Sequence, residues 1–166
     1  PVLFAHSEKM ESSLSVSNKL YDLLKKYGYF PDIICLAYDR LVLGDFLNAF
    51  KDRFINCHPG LLPGFKGFNA IERTSSSSAQ FGGCSIHLCN ENIDDGAVII
   101  QSVIPLSPCL TKDEYGAKIF NHMKQGLSQV VQWFAEDRVI IKNGKVIIEN
   151  AEYGTFPDNP SIELFK

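Results

Sequence analysis

An amide and an imidazole stand two residues apart at the end of a short apolar segment, where Asn56 and His58 follow Phe54 and Ile55. In extended backbone, side chains at positions i and i+2 project to the same face. An amide NH2 can donate a hydrogen bond to a developing oxyanion, and an imidazole that titrates near neutral pH can move a proton. The pair therefore indicates acyl-transfer or proton-transfer chemistry. The structural alternative is an asparagine that caps a turn beside a loop histidine.

A glycine- and proline-rich segment follows this pair. Residues 59–67 contain two prolines and three glycines, a composition that excludes a helix and a central strand. Open α/β sheets form their sites at the carboxyl ends of strands, where a shaped loop follows the strand. We therefore expect Asn56 and His58 to point into a cleft at this edge of a sheet.

The elements before this segment predict an α/β fold. Apolar spacing predicts a helix over 14–27, closed by Gly28, and the continuous apolar run 33–37 is typical of a buried parallel strand. A second helix is predicted over about 41–50, before the strand 54–58. With a short strand over 1–5, the order is β-α-β-α-β, which predicts parallel pairing with right-handed crossovers.

The elements after the site predict antiparallel additions to this sheet. Apolar segments at 82–89 and 97–106 are separated only by an acidic, turn-rich loop, so we expect them to pair antiparallel. The capping-box pattern Thr111–Glu114 opens a long helix that runs to about 135. Asn143-Gly144, between two apolar runs, predicts a hairpin.

Two segments are predicted to be irregular. Ser75–Ser78 is low in complexity and is expected to be a mobile or solvated loop. The tail from Tyr153, with prolines at 157 and 160, is expected to be loosely ordered.

Composition limits the class of protein. The 166 residues fit one domain with a real core, and a net charge of −3 argues against binding to nucleic acid or an acidic membrane. The five cysteines lack a C-x-x-C pair and are odd in number, which indicates reduced thiols in a cytoplasmic protein. We find no apolar run long enough to span a bilayer, so no membrane association is expected.

Asp94, 38 residues after Asn56, completes an ordered set of three motifs. The chain resembles the folate-dependent formyltransferases over roughly 32–134. The resemblance depends on three ordered motifs: Asn56-x-His58-Pro59-x-Leu61-Leu62-Pro63, Ser85-x-His87 and Asp94-x-Gly96-x-x-Ile99. The closest likeness is to the purine-biosynthetic members of that family. The resemblance implies a formyltransferase fold over 1–166: a single catalytic domain with a Rossmann-like, mostly parallel sheet, flanking helices, antiparallel strands and a C-terminal hairpin.

The resemblance also implies an activity, the transfer of a formyl group from the co-substrate 10-formyltetrahydrofolate to a primary amine, above all glycinamide ribonucleotide. By this analogy Asn56 donates a hydrogen bond to the tetrahedral oxyanion. His58 stabilises the same charge or relays the amine proton. Asp94 holds His58 or an ordered water that carries the proton. No metal is expected.

The resemblance further implies two sets of binding residues. Those expected around the folate are Leu36, Arg40, Leu41, Val42, Cys89, Asn90, Ile93 and Asp94. Those expected near the amine substrate are Pro59, Gly60 and His87, with His87 more distant from the chemistry than His58. For Arg40, a surface charge is an equally good interpretation.

The chain departs from the family pattern at two places. Gly60 stands where the family commonly has serine, so a hydroxyl is missing beside His58. The family begins with a strand and a glycine-rich phosphate loop, whereas the first glycine here is Gly28. Residues 1–28 resemble the later part of that half, so we expect the N-terminal strand and phosphate loop to be absent.

Four alternatives stay open. A formyltetrahydrofolate deformylase would replace the amine with water, and a sugar-amine N-formyltransferase would use another acceptor. A folate-binding relative with little activity would explain the missing phosphate loop. A zinc site would need His58, His87, Cys57, Cys84 and Asp94, whose spacings fit no standard ligand pattern. Self-association into a homodimer is a separate prediction.

Overall fold

The structure, a computed structural model, describes residues 10–37 and 40–163. Its strands form a five-stranded sheet in the order β1-β2-β3-β4-β7 and a separate hairpin of β5 and β6. The elements in chain order are α1 (Ser13–Tyr27), β1 (Ile34–Leu36), α2 (Gly44–Ala49), β2 (Phe54–His58), α3 (Ala70–Ser75), β3 (Phe81–Leu88), β4 (Val98–Pro105), α4 (Lys112–Ala135), β5 (Val139–Lys142), β6 (Lys145–Ile148) and β7 (Asp158–Asn159).

The sheet combines parallel and antiparallel pairing, and the predicted α/β fold is confirmed. β1 runs parallel to β2 across the α2 crossover. The pairs β2–β3, β3–β4 and β4–β7 are antiparallel. The antiparallel pairing of β3 with β4 agrees with the prediction for these two segments, because the short loop between them cannot hold the crossover helix that parallel neighbours need. The strand predicted over 1–5 lies outside the described residues.

Local signals predicted most helix ends correctly. Ser12 caps α1 by accepting a hydrogen bond from the Ser15 N–H, and Gly28 ends it in the left-handed conformation. Thr111 and Glu114 form the predicted capping box of α4. The helix predicted over 41–50 begins only at Gly44, because Leu43 is extended and its N–H donates to the Ser17 hydroxyl at 3.0 Å.

The serine-rich segment is more ordered than predicted. Ser75 is the last residue of α3, so the loop assignment is wrong at that position. The hydroxyls of Ser75 and Ser76 both donate to the Glu72 carbonyl, and that of Ser77 donates to the Thr74 carbonyl. The same two carbonyls also accept backbone hydrogen bonds, from the Ser76 N–H at 2.9 Å and the Ser77 N–H at 3.2 Å, so the hydroxyls add second donors at the end of the helix.

Residues 158–159 of the tail belong to the sheet, so the prediction of a loosely ordered tail is wrong at this segment. β7 pairs with the outer edge of β4, and the Ser102 hydroxyl donates to the Asp158 carboxylate. The Tyr153 hydroxyl accepts a hydrogen bond from the Ile148 N–H at 2.7 Å. A two-residue strand is too short to show periodicity, and these contacts that hold the tail are polar. The sequence therefore contains no apolar pattern from which this strand could be predicted.

Two apolar clusters fix the position of β2. Ile55 packs on one side with Ile86, Ile100 and Trp133, which α4 presses against the sheet. Phe54 packs on the other side in a cluster of aromatic rings: Tyr21 of α1, Phe46 of α2 and Phe50, the C-cap residue of α2. Because both faces of the strand are packed at its start, the side chains at its carboxyl end have a defined direction.

Gly96 sets the course of the loop between β3 and β4. A Cβ atom at this position would lie 1.7 Å from the Leu88 carbonyl oxygen, so only glycine fits without moving the backbone. This close approach brings the loop, and with it Asp94, over the end of β3.

Candidate active site

Asn56 and His58 lie on one face at the carboxyl end of β2, as their spacing predicted. Asn56 is opposite Leu36 of β1 and His87 of β3, and His58 is opposite Ser85. His58 is almost completely buried. The two side chains are therefore held between neighbouring strands and are not part of a free loop.

Asp94 brings the three polar side chains together. Its Oδ2 atom lies 3.1 Å from His58 Nδ1, and its Oδ1 atom lies 3.4 Å from Asn56 Nδ2. The Gly67 N–H donates to Asp94 Oδ2 at 2.8 Å. Residues that are 38 positions apart along the chain thus converge on one carboxylate.

The hydrogen bonds of His58 define where its protons lie. Nε2 is 2.9 Å from the Phe65 carbonyl oxygen, and because a carbonyl only accepts, Nε2 must carry a hydrogen. Nδ1 faces the Asp94 carboxylate, a contact that is favourable only when a proton lies between the two atoms. The His58–Asp94 pair in this arrangement therefore holds a proton that it can give up.

His87 orients the Asn56 amide. Its Nδ1–H donates to the Leu88 carbonyl at 2.8 Å, and burial lowers the pKa of its imidazole although Asp94 Oδ1 lies 3.5 Å from Nε2, which favours the neutral ring with a lone pair on Nε2. That lone pair faces Asn56 Nδ2 at 3.4 Å. Both contacts of the amide NH2, to His87 and to Asp94, are long, so a stronger acceptor placed in the cavity can replace one of them.

Ser85 supports the loop that follows His58. Its buried hydroxyl donates to the Gly60 carbonyl at 2.8 Å and accepts from the Leu62 N–H at 3.0 Å. Gln101 on β4 donates to the Leu62 carbonyl at 2.8 Å. The serine of the Ser85-x-His87 motif thus shapes the loop, and the histidine contacts the site.

A cavity of about 360 Å³ opens beside these side chains. All eight residues predicted to surround the folate line it: Leu36, Arg40, Leu41, Val42, Cys89, Asn90, Ile93 and Asp94. Pro59 and His87 line it too. Gly60 is not in the cavity wall, because its α-carbon faces the His58 ring: a Cβ there would lie 2.9 Å from His58 Nε2. Glycine at this position lets the loop pack directly on the imidazole.

Sequence reasoning missed a second group of residues at this site. Gly67, Phe68 and Asn69 also line the cavity, and the Phe65 carbonyl binds His58. Most of these lie in the loop 59–69, whose composition indicated a loop but not which backbone atoms reach the histidine. Among the residues the structure describes, no group of three or more histidine, cysteine, aspartate or glutamate side chains is arranged to hold a metal ion.

The thiols near the site are expected to resist alkylation. Burial raises the pKa of Cys57 to about 11 and that of Cys84 and Cys89 to about 12, with the Asp94 charge adding to the effect at Cys89. At pH 8 roughly one such thiol in a thousand or fewer is ionised, and the thiolate is the reactive form. Peptide mapping after iodoacetamide should find exposed Cys109 modified first and exposed Cys35, with its raised pKa, later. Fast modification of Cys89 in the folded protein would contradict this burial.

The model of the formyl transferase family matches residues 1–131. The chain belongs to this family. It is 27% identical over 143 residues to phosphoribosylglycinamide formyltransferase from Haemophilus influenzae, a match that covers 86% of this chain and 66% of the relative.

Solved structures agree with this membership. Glycinamide ribonucleotide transformylase 1 from Symbiobacterium toebii superposes with a TM-score of 0.74 at 32% identity, over 80% of this chain and 62% of that protein. A formyltetrahydrofolate deformylase from Pseudomonas syringae shares the fold, with a TM-score of 0.73 at 21% identity over 81% of this chain and 45% of its own. The chain thus spans less than two thirds of the length of each of these three proteins.

The helices in residues 10–37 and 40–163 include none that is long and apolar enough to cross a membrane.

Proposed function

We propose that this chain transfers a formyl group from 10-formyltetrahydrofolate to a primary amine, with glycinamide ribonucleotide of purine biosynthesis as the acceptor. The observation that carries the proposal is that Asn56 and His58 converge on Asp94 at the wall of a cavity. The residues that line this cavity suit a folate. The named activities of the H. influenzae and S. toebii relatives support the same reaction.

The cavity supplies the surfaces that a formyl-folate needs. Leu36, Val42 and Ile93 offer apolar walls for a flat ring system, and the Asn90 and Asn92 amides offer polar partners. Small-molecule sites commonly combine apolar walls with a few oriented polar groups in this way. The residues present therefore fit the co-substrate, which would lie with its formyl group toward Asn56 and His58.

The side chains divide the transfer between them. The amine nitrogen forms a bond to the formyl carbon, and the carbonyl electrons move to the oxygen, where the Asn56 N–H stabilises the negative charge. The His58–Asp94 pair gives its proton to the nitrogen that leaves with the folate as the old C–N bond breaks. The pair then takes the proton that the amine loses, so the products are a formamide and tetrahydrofolate, and the pair is restored.

The acceptor is tested most simply by a product assay on the full chain. Incubation with 10-formyltetrahydrofolate and glycinamide ribonucleotide should release tetrahydrofolate and an equal amount of formylated amine. A set of amino sugars in place of the ribonucleotide tests the alternative acceptor. Formate release at the same rate with or without any amine would instead favour the deformylase reaction, and folate binding without either product would favour a binding protein.

We further propose that residues 1–166 act as one catalytic domain in the cytoplasm. The substrates we propose are the small-molecule amine and the folate, with no nucleic-acid or membrane partner. The net charge of −3 supports this choice. Self-association into a homodimer remains a prediction, which sedimentation at working concentration tests.

A further inference from the structure

A three-residue segment, Phe65–Gly67, contacts both members of the His58–Asp94 pair. The Phe65 carbonyl accepts the Nε2–H of His58 at 2.9 Å, and the Gly67 N–H donates to Asp94 Oδ2 at 2.8 Å. The first bond holds the imidazole nitrogen that faces away from Asp94. The second holds the same carboxylate oxygen that faces His58. This segment, called the strap below, therefore sets the orientation of both groups at once.

The strap is held by side chains at some distance from the chemistry. Phe65 has φ 53° and Gly67 has φ 79°, both in the left-handed region, which is uncommon for phenylalanine. Arg73 on α3 donates from Nη2 to the Phe65 carbonyl at 2.7 Å and also to the Lys66 carbonyl. The Lys66 ammonium group pairs with Asp95, the neighbour of Asp94.

We propose that Arg73 is a positioning residue for the His58–Asp94 pair and acts through the Phe65 carbonyl. That single oxygen accepts hydrogen bonds from both the Arg73 guanidinium and His58 Nε2. While the guanidinium keeps the carbonyl in place, Nε2 stays anchored and Nδ1 stays turned toward Asp94. Arg73 itself is exposed and lies outside the cavity wall. The inference rests on the proposed function for its kinetic consequences, but not for its structural ones.

A purely structural role for Arg73 is the competing interpretation. An arginine that bridges a helix to a loop can stabilise the fold without affecting a nearby histidine. The two roles differ in what they change: a structural loss lowers the melting temperature, whereas a positioning loss changes kcat and its pH dependence in the folded protein.

The kinetic experiment uses Arg73→Met, which removes the donors and keeps much of the side-chain length. We expect kcat for formyl transfer to fall between about 10- and 100-fold, the usual cost of misplaced catalytic groups, with little change in KM for the formyl donor. The pH profile of kcat should shift, because His58 loses its Nε2 anchor. Arg73→Lys, which keeps one donor, should recover part of the loss.

Arg53→Met is the matched control. Arg53 is also an arginine that donates to a backbone carbonyl, that of Pro31 at 3.3 Å, but it precedes β2 at the end away from the site. Its variant should keep the kcat and pH profile of the original chain. Two results would overturn the inference. One is an equal loss of kcat in the Arg53→Met and Arg73→Met variants, and the other is an Arg73→Met variant with unchanged kcat and pH profile.

A spectroscopic readout separates this inference from the proposed function. In protein labelled with ¹⁵N-histidine, the His58 Nε2–H should give a slowly exchanging resonance that Arg73→Met weakens or shifts, while the His87 resonances stay in place. This result requires no turnover. If formyl transfer is absent but the resonance responds, the proposed function fails and the positional coupling stands. If formyl transfer occurs but Arg73→Met changes neither the His58 resonance nor kcat, the coupling between Arg73 and His58 is wrong and the proposed function stands.

Discussion

Replacing Asp94 with asparagine is expected to lower kcat for formyl transfer by roughly 10²–10⁴, the range for loss of a general acid–base group. Asparagine keeps the shape of the side chain and tolerates the left-handed backbone at this position, where φ is 47°. It removes the charge that faces His58 Nδ1 at 3.1 Å, so the pair can no longer hold a transferable proton. The measurement is tetrahydrofolate release under saturating substrates.

Asp52→Asn is the matched control, because it makes the same substitution at another aspartate. Asp52 also has a positive φ, 61°, and lies in the turn before β2, away from the cavity wall. Its variant should match the original kcat. An Asp94→Asn variant with more than about a tenth of the original kcat would show that no proton passes through this carboxylate.

His58→Gln is expected to cost a similar factor, roughly 10²–10⁴ in kcat. A glutamine amide can still donate to the Phe65 carbonyl, so the buried position stays occupied and the loop keeps one of its bonds. It cannot exchange a proton with Asp94, because an amide does not titrate in this pH range. The melting temperature should change little while kcat falls, which would separate the loss of proton transfer from a loss of fold.

His122→Gln serves as the comparison for this second change. His122 lies on α4 and contacts Asp158 at 3.4 Å in a part-buried cluster near the tail. Its replacement should leave kcat and its pH profile unaltered. Full activity in His58→Gln would remove the imidazole from the mechanism, and a large loss in His122→Gln would point to a general effect on the fold.

The combined effect of these two changes should be far from additive. His58 and Asp94 act on one proton, so the double variant should be only slightly slower than the slower single variant. This expectation follows from the contact between the two side chains and would not hold for independent sites.

The elements that could be predicted from sequence are those with local causes. Gly28 ends α1, Thr111 and Glu114 cap α4, and the Asn143-Gly144 turn joins β5 and β6. Each depends on a residue type whose backbone or side-chain preference acts within a few positions. The same is true of Asn56 and His58, which share a face because strand side chains alternate.

The convergence of Asp94 on that pair has a non-local cause. It depends on antiparallel pairing of β2 with β3 and on the close approach of Gly96 to the Leu88 carbonyl. Periodicity alone predicts the strands but not their register, so the family resemblance was needed to select Asp94 from the neighbouring acidic residues. Sequence did not predict the strap, because its contacts are made by backbone N–H and C=O groups, which every residue type carries.

The short strand β7 was missed for a similar reason. Its two residues have no apolar alternation, and its attachment depends on Asp158 meeting Ser102 and on pairing with β4. A polar residue such as Asp158 in a tail that contains prolines is typical of a loop. The sequence alone does not show that the edge of β4 is there to pair with it.

The central claim is that Asn56, His58 and Asp94 surround one reacting carbonyl carbon. A crystal structure of the full chain with a non-reactive folate analogue that carries a carbonyl group in place of the formyl group tests it directly. The account predicts the carbonyl oxygen within hydrogen-bond distance, about 3 Å, of Asn56 Nδ2, and the imidazole and carboxylate on the same side of the carbon. A carbonyl bound in the cavity but turned away from all three side chains would contradict it.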